Sequence, residues 1–203
     1  MVFCCHNAFR LDTKCEWKFL APFVEQFNKQ HGTEYQHKRC LDIDKELRKT
    51  PQPEVLVEDG CSGQKMVIER KSIVWPEDHI KCHKGWHHKS EMHAKLQGGY
   101  YEESFVVEQE PAEILQAREA ALRGFTQAYL NELPSVSKKF RNWPNTLRVY
   151  VVQFIGNDNW VSEDDVESII KEAETPIEIN QVWAAYPKWV NEEDYSIAWK
   201  HVR

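Results

Sequence analysis

Three residues in the first half of the chain have the types and spacing to do chemistry. Glu69 and Lys71 lie two apart at the end of an apolar run, Met66-Val67-Ile68. Side chains alternate across a strand, so the pair projects from one face. Glu54 opens an earlier short run, and a hairpin between the two runs brings its carboxylate toward Glu69. Two carboxylates converging at a strand edge suit a hard cation such as Mg²⁺, which takes oxygen ligands and keeps waters for substrate phosphates. A lysine beside them can orient a water and stabilise charge on a phosphate. These are the requirements of phosphodiester hydrolysis.

Several elements must position these groups. Residues 54–59 read as a strand, 60–63 as its Gly-containing turn and 65–74 as the returning strand of a β-hairpin. A first helix is expected from the capping-box spacing of Thr13 and Glu16, with Trp17, Leu20, Val24 and Phe27 at helical intervals and Gly32 as its stop. Pro22 is expected to kink or restart it. Further helices are expected over 78–96, over 111–133 from a first-turn Pro111, and from the Ser162/Asp165 cap to about residue 174. Strands are expected over 104–108, over the apolar run 147–155 and over 177–185. Helices alternating with strands after an early hairpin give an α/β or mixed α+β class, with one mixed central sheet flanked by helices.

Composition narrows the function classes. The chain has 203 residues, 41% hydrophobic and 29% charged, which fits one folded domain over 1–203. Apolar runs stop near seven residues, far short of the roughly 20 of a membrane span, and no signal peptide is legible. A cytoplasmic protein with no membrane partner is the expectation, and its six cysteines read better as thiols than as disulfides. Cys4, Cys5, His6 and Cys15 form the one cluster that resembles a zinc-ligand set. There is no GxGxxG, Walker, GxSxG or HExxH motif.

Net charge is −6, unevenly placed. Residues 36–50 carry five basic against three acidic groups, and 65–97 carry seven against four plus five His. Residues 158–178 hold eight carboxylates and one Lys. A basic face toward phosphates and an acidic flank follow.

Pro53-Glu54, a hairpin, then Glu69-Arg70-Lys71 resembles the PD-(D/E)xK nuclease superfamily, with its restriction-endonuclease-like core. The resemblance spans 13–101 and leaves 102–203 as an α/β completion with the acidic flank. It implies that Glu54 and Glu69 bind Mg²⁺ or Mn²⁺ and that Lys71 assists the attacking water. Gln97 and Tyr101 look like the QxxxY motif of the RecB-like branch, and with Arg70 and Lys89 they are the expected substrate-binding residues. Glu54 stands where the family usually has Asp, and Gly98-Gly99 would interrupt the helix that normally carries the Gln-to-Tyr spacing. The implied activity is a divalent-metal-dependent nuclease. Its substrate is nucleic acid, DNA ahead of RNA by family habit, and the acidic half is open to a homodimer or a protein partner. Two alternatives stand beside it: a catalytically inactive nuclease-fold binding or accessory protein, and a zinc domain built on His79, His83 and His87 at i, i+4, i+8.

Overall fold

The expected hairpin forms, and it lies inside a larger sheet. The computed structural model describes residues 17–41, 50–74, 111–155, 162–189 and 195–203. Strand β2 (Val55–Asp59) pairs antiparallel with β3 (Lys65–Val74). Asp59 organises the turn between them: Oδ1 accepts from the Glu34 N–H at 2.8 Å, and Oδ2 accepts from the Ser62 hydroxyl and N–H. Gly63 completes the turn at φ 69°, a left-handed conformation that glycine adopts without a Cβ penalty.

Strand β1 (Tyr35–Cys40) adds antiparallel to β2. On the other side, β4 (Leu147–Ile155) runs parallel to β3 and β5 (Gln181–Trp189) parallel to β4, while β6 (Tyr195–His201) closes the sheet antiparallel to β5. The six strands therefore form one mixed sheet in chain order. The central strand β4 is buried on both faces, which is why it reads as a continuous apolar run.

Helices cover both faces. Helix α1 (Trp17–His31) packs Leu20, Phe23 and Phe27 on one face, against Met66 and Ile68 of β3. Helices α2 (Pro111–Phe140) and α3 (Glu163–Glu172) cover the other face, where Val67 and Ile73 meet Phe125, Tyr129 and Ile170. The α3 start is the expected capping box, with Ser162 and Asp165 bonding each other's backbone N–H groups.

Four sequence expectations shift. Pro22 sits within a continuous α1, and α2 runs past Pro134 to Phe140. Both prolines are exposed, as are Lys18 and Leu130 one turn earlier, so the carbonyls they leave without a donor face water. Strand β5 begins four residues later than expected, because residues 177–178 turn instead and Ile177 is 89% exposed. Strands β1 and β6 carried no clear signal. Four successive residues of β1, 36–39, are exposed, so its two-residue alternation is lost.

Cys40 is disulfide-bonded, where the sequence favoured thiols, and Cys61 is a free, exposed thiol. No described helix is long and apolar enough to cross a membrane. The expected 78–96 helix with its histidines, the 104–108 strand and the N-terminal Cys/His cluster lie outside the described residues.

Candidate functional site

Glu54 is fixed by its backbone before its side chain is considered. Its N–H donates to the Ile68 carbonyl at 3.0 Å, and its carbonyl accepts from the Leu41 N–H at 2.7 Å. Glu54 Oε2 then accepts from the Arg70 N–H at 3.1 Å. The preceding loop is tied down where the Trp143 indole N–H donates to Gln52 Oε1 at 3.0 Å.

The hairpin register pairs Val55 with Ile68 and Leu56 with Val67. The paired register ends at Val55, and Glu54 lies just before it with its N–H on the Ile68 carbonyl. Leu56 and Val67 both pack toward α2, so the alternation places Glu69 and Lys71 on the α2 face, and the Glu54 carboxylate acts on Lys71 there.

Glu69 is fully buried. Its Oε1 meets the Lys71 ammonium at 3.3 Å and the Lys139 ammonium, from the last turn of α2, at 2.5 Å. Its Oε2 is buried and has no hydrogen-bond partner among the described residues. Burial pushes the Glu69 carboxyl up, and Lys139 and Lys71 only partly offset that. Burial also lowers Lys71, but the carboxylates of Glu69, Glu54 and Glu132 outweigh it and raise the ammonium above the usual lysine value.

Behind the carboxylates stand two tyrosines. Tyr150 pairs with Glu69 across β3 and β4, and its ring stacks on that of Tyr129 at 6.1 Å between centroids. Both hydroxyls are buried without a hydrogen-bond partner among the described residues. Burial, reinforced by Tyr129, Glu132, Glu69 and Glu54, holds the Tyr150 phenol far above its usual range.

Arg70 is not brought to this group. It points to the α1 face, with its guanidinium 3.8 Å above the Phe19 ring and Nη2 donating to Gln153 Oε1 at 3.0 Å. Its side chain holds α1 to the sheet, while its backbone N–H holds Glu54. Gln97, Tyr101 and Lys89 lie outside the described residues.

Sequence reasoning missed Lys139, Glu132 and Tyr150. The helical spacing of Tyr129, Leu133, Val136 and Phe140 puts Glu132 and Lys139 beside the buried stripe of α2, but no local pattern tells which strand they face. The two carboxylates offer the oxygen donors that a hard divalent cation takes. No group of three or more His, Cys, Asp or Glu able to hold a metal ion occurs among the described residues.

Three carboxylates of the acidic flank are paired within the chain. Both Asp165 oxygens accept from Arg118, Glu167 is paired with Lys171 and Lys200, and Glu178 with Arg141. No protein-family model, curated protein or solved structure matches the chain.

Proposed function

We propose that the chain is a divalent-metal-dependent nuclease that hydrolyses phosphodiester bonds, with DNA as its substrate. One observation carries this reading: Glu69 Oε1 meets the Lys71 ammonium at 3.3 Å, and the Glu54 carboxylate acts on the same ammonium. The mixed sheet with helices on both faces is the architecture that the PD-(D/E)xK resemblance implies.

The donor set suits Mg²⁺ or Mn²⁺. Glu69 Oε2 is a buried acceptor that no described donor satisfies, and leaving such a group unpaired is costly. Two protein carboxylates are enough for Mg²⁺, which completes its shell with waters and substrate phosphates. When bound, the ion would activate water and offset phosphate charge. Lys71, 30% exposed, is positioned to orient that water.

A second reading is a catalytically inactive binding or accessory protein that keeps the scaffold. It is favoured by the Lys139 ammonium, which already neutralises Glu69.

The deciding experiment is cleavage of plasmid, linear and single-stranded DNA with Mg²⁺, Mn²⁺ or EDTA, comparing the parent protein with Lys71→Ala. The nuclease reading expects metal-dependent cutting that the substitution abolishes. A folded parent that cuts none of the three substrates under any condition would leave the binding role.

A further inference from the structure

We infer that Lys139 is a displaceable counter-cation: it occupies Glu69 when no divalent ion is bound, and loading of the ion drives it out. This rests on the nuclease reading above and adds to the site a residue, 70 positions away, that the ExK motif does not contain.

The argument begins with the unequal treatment of the two Glu69 oxygens. Oε1 receives two ammoniums, Lys139 at 2.5 Å and Lys71 at 3.3 Å, while Oε2 receives no hydrogen bond among the described residues. An ion pair with a purely structural role would be expected to satisfy both oxygens of a fully buried carboxylate. This arrangement places both ammoniums on one oxygen of Glu69 and leaves the other, buried, without a described donor.

A divalent ion shared by Glu69 Oε2 and Glu54 would bring two positive charges close to both ammoniums. At such separations in a partly buried site, like charges repel strongly. One ammonium must then yield, and the surrounding structure selects Lys139. Lys71 lies within β3, paired with Val152 of β4, and three carboxylates hold its charge in place. Lys139 sits in the last turn of α2, beside exposed Lys138, and its side chain is 20% exposed. A long, flexible lysine at a helix end can turn to water with little loss, since its stem stays packed while its head is solvated.

The test is Mn²⁺ binding by the full chain, read by electron paramagnetic resonance of free Mn²⁺, for the parent, Lys139→Met and Lys139→Gln. The glutamine variant keeps a neutral donor for Glu69 should the methionine variant fail to fold. Removing the competing ammonium should tighten Mn²⁺ binding by about tenfold or more, the scale of one charge-assisted contact. The gain should vanish when Glu69→Gln is added. If the parent binds Mn²⁺ through Glu69 but the Lys139 variants bind no more tightly, the counter-cation role is wrong and the metal site stands. If neither the parent nor the folded Lys139 variants bind Mn²⁺, both the inference and the metal-dependent reading fall.

Discussion

The Lys139 ammonium lies 2.5 Å from Glu69 Oε1, joining the last turn of α2 to the middle of β3. The contact makes α2 part of the carboxylate site as well as its cover. It also means that substitutions at Glu69, Lys71 and Lys139 are energetically coupled, so their effects should not add.

Glu69→Gln should abolish metal-dependent cleavage while leaving the fold intact. The change removes a buried charge, and the two ammoniums it leaves are 30% and 20% exposed and can reach water. We expect a stability change within about 1 kcal/mol and a loss of cleavage of at least about 100-fold. Urea denaturation and a DNA-cleavage time course check the two halves separately.

Arg70 and Lys71 are sequence neighbours with opposite expected phenotypes. Arg70→Ala removes a buried guanidinium from the Phe19 ring and strands the Gln153 side chain, so it should cost about 2–4 kcal/mol. Lys71→Ala should cost under about 1 kcal/mol, because its head is partly solvated. Unfolding midpoints compare them directly, and a larger loss at Lys71 would contradict the assigned faces.

Tyr129→Phe and Tyr150→Phe should be neutral or mildly stabilising. Each deletes a buried hydroxyl that has no hydrogen-bond partner among the described residues, so the desolvation penalty disappears and no bond is lost. Thermal melting of both variants provides the check, and a loss beyond about 1 kcal/mol would mean that the hydroxyl has a partner.

Stability should fall on acidification. The Ser62 hydroxyl lowers Asp59, and the Lys200 and Lys171 ammoniums lower Glu167. Burial raises Asp165, but its bonds from Ser162 and Arg118 outweigh that and lower it overall; Glu178 is lowered by its own N–H and the Ser137 hydroxyl. A carboxyl whose folded pKa lies below its unfolded value contributes stability that is fully present above the unfolded value. That stability is lost as pH falls through the folded value. Glu69 works the other way: its raised pKa makes protonation favour the folded state as pH drops. With four groups against one, the urea midpoint should decline from about pH 5 to about pH 3, and Asp165→Asn should flatten that decline.

Ser162→Ala removes the hydroxyl that accepts from the Asp165 N–H at 3.2 Å. Loss of such a cap costs about 1 kcal/mol. Comparing the chemical unfolding of Ser162→Ala with that of the parent measures it.

The sequence by itself determined the hairpin, the buried strand β4 and the capped helix α3, because each is written in local signals. A turn residue, an apolar run and a Ser/Asp spacing act over a few residues and need no distant partner. The same local alternation put Glu69 and Lys71 on one face. Only the tertiary structure decided what meets that face: the Glu54 carboxylate from the entry to the hairpin, Tyr150 from a parallel neighbour, and Lys139 from a helix 70 residues away. It also sent Arg70 to the opposite core and ordered β1 and β6, whose pairing comes from sheet neighbours more than from their own pattern. Contacts between distant segments depend on how helices pack on a sheet, and sequence spacing does not encode that geometry.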